Sequence, residues 1–135
     1  MNSYPVVLLI FLFFSLSSCD PSHRLMVSNQ SQAARQIKVH GICKDAVVIL
    51  SSPSDSAANK KQNAVQTSTC VNQSFGFELQ PGQTAVIENE LGPIPYAKLI
   101  VIDGRDTVKV PKSKGRITKK PRFWIGGDYT LTINH

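Results

Sequence analysis

Residues 75–88 read FGFELQPGQTAVIE, and this stretch decides the fold. Phe75, Phe77 and Leu79 alternate with Gly76 and Glu78, a period of two. In an extended chain successive side chains point to opposite faces, so the three large apolar groups share one face. Gln80-Pro81-Gly82-Gln83 then supplies a turn, because proline presets one central φ and glycine tolerates a positive value at the next. Thr84 to Glu88, TAVIE, resumes an extended, β-branched run. Strand, tight turn, strand is the pattern of a hairpin.

The same signals recur outward. Toward the C-terminus, YAKLIVI (Tyr96 to Ile102) ends in an apolar run after NELGPIP interrupts the pattern. DGRD turns the chain, TVKV sets Val108 and Val110 on one face, and PKSKG turns it again. RFWI is a strand candidate, GGD a tight turn, and YTLTI alternates Tyr129, Leu131 and Ile133. Toward the N-terminus, RLMVS (Arg24 to Ser28) predicts a first strand. A polar turn leads to QIKVH, with Ile37 and Val39 inward and Gln36, Lys38 and His40 outward. These two strands are expected to pair as a hairpin. Ala46 to Leu50, AVVIL, is continuously apolar and predicts a strand covered on both faces. Residues 51–69 hold one large apolar side chain, Val65, among 19, and predict a polar loop with a weak strand near its end. Loops of this length are uncommon in compact domains. No segment carries helical apolar spacing over ten residues. The expectation is an all-β chain forming a single β-sandwich of about seven to nine short antiparallel strands. An immunoglobulin-like topology is compatible with it, and a small β-barrel is the alternative.

The N-terminus has a different character. Val6 to Phe14 is an unbroken run of nine apolar residues. With Leu16 it is about half the roughly 20 residues a membrane-spanning helix needs, and it suits the apolar region of a signal peptide. Leu16-Ser17-Ser18-Cys19 follows and resembles the lipobox of bacterial lipoproteins. That resemblance implies a signal peptide over 1–18, removed on export, and a diacylglycerol with palmitate-type chains on the thiol of Cys19. Residues 19–22 become a lipidated N-terminus with a short tether, and 23–135 the sandwich. The implied location is the cell envelope, anchored on the periplasmic or outer face of a membrane. Asp20 resembles an inner-membrane retention signal of some such proteins, and inner and outer membrane both stay open. The mature chain resembles the small single-domain β-sandwich lipoproteins of bacterial envelopes, which implies location and architecture but no activity.

Charge and cysteine content fit an exported domain. Every Lys, Arg, Asp and Glu lies beyond Cys19, for a net charge of +6. An oxidising compartment favours a disulfide between Cys43 and Cys70, closing a loop of about 28 residues. The alternatives are two unpaired thiols, or a metal site using His40, three residues before Cys43; no second spaced pair completes that motif.

Chemistry-bearing motifs are sparse. There is no Gly-x-Ser-x-Gly nucleophile elbow and no cofactor motif. None of His23, His40 and His135 neighbours a carboxylate in sequence. Glu88 with Glu90, and Asp103 with Asp106, are paired acids that read as solvated turn residues, since calcium takes six to eight oxygens. The strongest asymmetry is basic. Between residues 109 and 122, seven of 14 side chains are cationic and none is acidic: Lys109, Lys112, Lys114, Arg116, Lys119, Lys120 and Arg122, with Trp124 close behind. Such a stretch suits an anionic glycan or lipid surface. It equally suits a solvated hairpin whose lysines protect an edge strand from aggregation. Nucleic acid is a poor partner for an exported chain. The expectation is a lipid-anchored, non-enzymatic binding or structural module with an envelope protein as partner. A polyanion-binding protein using 109–124, and a small enzyme with an unrecognised site, are the alternatives.

Overall fold

The computed structural model describes residues 22–50, 64–92, 94–111, 115–121 and 126–134. These residues form ten strands: β1 (Ser22–Asn29), β2 (Arg35–His40), β3 (Ala46–Leu50), β4 (Ala64–Thr67), β5 (Ser74–Leu79), β6 (Thr84–Leu91), β7 (Leu99–Ile102), β8 (Asp106–Lys109), β9 (Ile117–Pro121) and β10 (Gly126–Ile133). No helix occurs among them. Six strands make one sheet in the order β4-β3-β6-β1-β10-β9, and four make a second in the order β5-β2-β7-β8. The fold is therefore an all-β sandwich, and with two separate sheets the barrel alternative falls away.

The period-two pattern builds the core as the sequence predicts. Phe75, Phe77 and Leu79, Ile37 and Val39, Val108 and Val110, and Tyr129, Leu131 and Ile133 are all buried. Leu25, Val27, Val47, Ile49, Ala85, Ile87, Ala97, Ile100 and Ile102 join them in the core. Each large aliphatic or aromatic side chain taken out of water contributes about 1.5–3 kcal/mol.

Several expectations are corrected. Ten strands lie among the described residues, against about seven to nine expected. They are not all antiparallel: β1 runs parallel to β10 over its whole length, from Ser22 opposite Gly126 to Asn29 opposite Ile133. A parallel pair needs a long crossover, and here nearly the entire domain is that crossover, so no local signal announces it. The first two strands do not form a hairpin, because β1 lies in the six-stranded sheet and β2 in the four-stranded one. Asn29 is the reason. Its buried amide donates to the carbonyls of Ala33 and of Leu79 in β5, at 2.8 Å each, and its oxygen accepts from the Ser31 hydroxyl at 2.6 Å. That network carries the chain from one sheet to the other. The connectivity is thus not that of an immunoglobulin domain, whose first two strands share a sheet. AVVIL is covered on one face only: Val47 and Ile49 are buried, Val48 is exposed. The polar stretch does end in a strand, β4; residues 51–63 of it lie outside the described residues. So do residues 122–125 of RFWI, and the strand found nearby is β9, inside the basic segment.

One irregularity positions the site below. Opposite β1, the register of β6 shifts between Leu25, which faces Glu88, and Met26, which faces Val86. Ile87 is the extra residue of a β-bulge. Before it β6 turns Ala85 and Ile87 inward; after it the inward parity changes and Glu88 is buried too. Re-aiming a side chain is what a bulge does.

The sandwich has two ends. At the base, β1, β3, β5, β7 and β10 begin and the other five strands finish. The crown is the opposite end.

Candidate functional site

At the base, His23 follows Ser22 on the inner face of β1 and is 0 % exposed; Glu88, turned inward by the bulge, is 1 % exposed. The His23 Nε2 lies 2.8 Å from the Glu88 Oε2, and its Nδ1 lies 3.0 Å from the carbonyl oxygen of Gly92. A carbonyl only accepts, so Nδ1 carries a proton. The same Oε2 accepts the amide of Tyr96 at 2.8 Å, and Oε1 accepts that of Ala97 at 2.7 Å. One further proton lies between the ring and the carboxylate. Every polar atom of this buried pair is therefore partnered, the condition under which such a pair is tolerated.

The pair clamps the connection between β6 and β7. His23 holds its outgoing leg at Gly92, and Glu88 holds its returning leg at Tyr96 and Ala97. The Tyr96 hydroxyl closes the loop by donating to the carbonyl of Leu91 at 2.8 Å, and its ring stands edge-on to that of His23, centroids 5.3 Å apart. Gly92 adopts a φ of +127°, and a Cβ there would strike the Tyr96 hydroxyl. Only glycine suits a bend of this kind. What the clamp holds outward is apolar: Leu91, Ile94 and Tyr96 are 63 %, 53 % and 55 % exposed. Beside them is a shallow cavity of about 310 Å³ lined by Ile42, Cys43, Lys44, Glu88, Glu90 and Tyr96. With the oxygens of Glu88 already committed to His23 and two amides, the arrangement braces a loop rather than offering a free acid or base.

The crown is built from exposed charge. A cleft of about 930 Å³ is lined by Arg35, Arg105, Arg116, Asp103 and Asp106, among others. Arg35 bonds Asp103 at 2.8 Å, and the Asp103 carboxylate also accepts the Gln36 amide at 2.9 Å. The Arg35 guanidinium, then that amide, hold the Asp103 carboxyl below its ordinary range. Arg116 grips both oxygens of Asp106 and does the same to it. At the base, Lys44 lowers Glu90 in the same way.

Of the basic residues singled out in the sequence, the described ones are spread over both ends and an edge of the sandwich. Lys109 ends β8 at the base, whereas Arg116 is at the crown, bound to Asp106. Lys119 and Lys120 lie on β9, the edge strand of the larger sheet, and the Lys119 ammonium sits 5.4 Å from the centre of the Tyr129 ring. Lys112, Lys114, Arg122, Trp124 and Cys19 lie outside the described residues. Cys43 and Cys70 are joined as a disulfide, Cα atoms 5.5 Å apart, tying the β2–β3 connection to the segment before β5. The paired acids are separated in role. Glu88 is buried rather than solvated, Glu90 pairs with Lys44, and Asp103 and Asp106 pair with different arginines. Among the described residues no three His, Cys, Asp or Glu side chains converge as metal ligands.

The His23–Glu88 clamp is what sequence inspection misses. The one signal for it is parity: His23 is in phase with inward Leu25 and Val27, which places an imidazole in an apolar row. Glu88 gives no signal, because strict alternation after Ile87 sends it to solvent and only the bulge reverses that. Comparison with known proteins finds no matching family model, no similar curated protein and no similar solved structure.

Proposed function

We propose that this chain is a lipid-anchored protein of the bacterial cell envelope, a non-enzymatic binding or structural module. Its sandwich stands base-down on a membrane and turns its crown toward an envelope partner. One observation carries this: β1, a central strand, begins at Ser22, three residues beyond the lipobox cysteine. An extended chain advances at most about 3.6 Å per residue, so Cys19 reaches no more than about 11 Å from the folded domain. Acyl chains on its sulfur would hold the base against the headgroups. Two or three chains anchor firmly where one does not, each buried CH₂ adding about 0.8 kcal/mol. The arginine-lined crown, on the far side, is the surface left for an envelope protein or an anionic group.

Growing the producing cells on labelled palmitate tests the anchor. The wild-type chain is expected to carry the label and to sediment with membranes. The Cys19→Ser chain should carry none and leave them. An unlabelled wild-type chain would end the proposal.

A further inference from the structure

We infer that the β6–β7 connection is a membrane-seating element: Leu91, Ile94 and Tyr96 enter the interfacial zone of the bilayer and fix the orientation of the tethered sandwich. The inference rests on the anchor proposed above and names the surface through which the domain meets lipid.

Position carries the first part. Ser22 is paired directly with Leu91 across the β1–β6 ladder. Paired strand residues are about 5 Å apart, and the tether adds at most about 11 Å. The Leu91 Cα is thus held within about 16 Å of the Cys19 Cα, an upper bound that spans one headgroup layer, about 5–7 Å deep, with room to spare, so the tether keeps this end of the domain at the bilayer surface. Chemistry carries the second. Large apolar side chains exposed together mark an interaction surface, and a tyrosine with an apolar ring and polar tip is suited to the membrane–water boundary. Charge carries the third. Lys98 and Lys109 are exposed at the same end, adjacent through the bond from the Val110 amide to the Lys98 carbonyl. Lys120 stands near the base end of β9, opposite Asp128. Cations around an apolar tip complement anionic headgroups. Rigidity carries the fourth. The clamp from His23 and Glu88 holds both legs of the loop, so the apolar groups are presented in advance of contact.

Full-length protein purified from its membranes is placed in vesicles of phosphatidylethanolamine and phosphatidylglycerol. A nitroxide is attached at Ile94→Cys or, separately, at Arg105→Cys in the crown. Ile94 is half exposed, so its replacement leaves the fold intact. Collision with dissolved oxygen and with a water-soluble nickel chelate is measured, and the N-terminal mass records acylation. The expected result is loss of nickel contact and gain of oxygen contact at 94, with the label at 105 fully aqueous. Aqueous behaviour at both positions in an acylated protein overturns the inference while the anchor stands. A mass without acyl chains overturns the anchor. The unacylated protein is then mixed with the same vesicles: immersion of 94 keeps the loop as a lipid contact in its own right, and an aqueous 94 removes it as well.

Discussion

At the base of the sandwich His23 and Glu88 are buried while Val71, Leu91, Ile94 and Tyr96 are exposed; at the crown the charges are in solvent, and the polar groups kept inside are the neutral ones of Ser28, Asn29 and Ser31. Charge and grease have changed places at one end. An exposed ion pair is screened and contributes little, whereas a buried pair leaves its survivor unpaired when one partner is removed. The base is therefore where a single substitution does most damage, although the exposed loop above the buried pair looks tolerant.

The largest effect is expected from Glu88→Ala. It strands the His23 proton and two backbone amides in a dry interior, and about 3–5 kcal/mol of stability should be lost in urea denaturation. Asp103→Ala at the crown should cost below about 1 kcal/mol. Similar losses for the two variants would erase the contrast between the ends. Next comes the disulfide. Reducing Cys43–Cys70, or replacing both cysteines by serine, should cost about 3–4 kcal/mol by the chain-entropy relation for a loop of about 28 residues. An unchanged denaturation midpoint would mean that the bridge constrains nothing.

Acid should act on the exposed carboxylates. Asp103, Asp106 and Glu90 have carboxyls held below their ordinary values by Arg35, Arg116 and Lys44. A lowered folded-state value gives stability that is complete above the unfolded carboxyl range, near pH 4, and is lost as pH falls through the folded value. Stability should decline modestly below about pH 4, and Asp103→Asn combined with Asp106→Asn should flatten that decline. An identical pH profile in the double variant would remove the crown from the account. The smallest effect on folding is expected from Leu91→Ser with Ile94→Ser. Stability should stay within about 0.5 kcal/mol of wild type, as for exposed positions generally. A large loss would show that these side chains pack rather than project.

The inward rows of β2, β5, β8 and β10 are legible in the sequence because one apolar face leaves an alternation that any window of five residues displays. The partners of those strands are not legible. Nothing local to Ser22–Asn29 says that it lies between β6 and β10, since that pairing joins residues at opposite ends of the domain. AVVIL misleads because an outward Val48 opposite Val65 on β4 looks like a second buried face. At the candidate site, half of the clamp is visible as an inward imidazole, and the other half depends on a bulge. That insertion of a single residue reverses the facing of everything after it, and TAVIENEL carries no glycine or proline to announce it.

The side-by-side alignment of β1 and β10 sets an order of events for folding. β10 fills a place between β1 and β9, so the larger sheet stays split until β10 has been made. Completion of that sheet must then wait for the last of the described strands, and pairing of such distant segments is slow. A chain cut before Gly126 would leave one whole flank of β1 open as a template for neighbouring molecules.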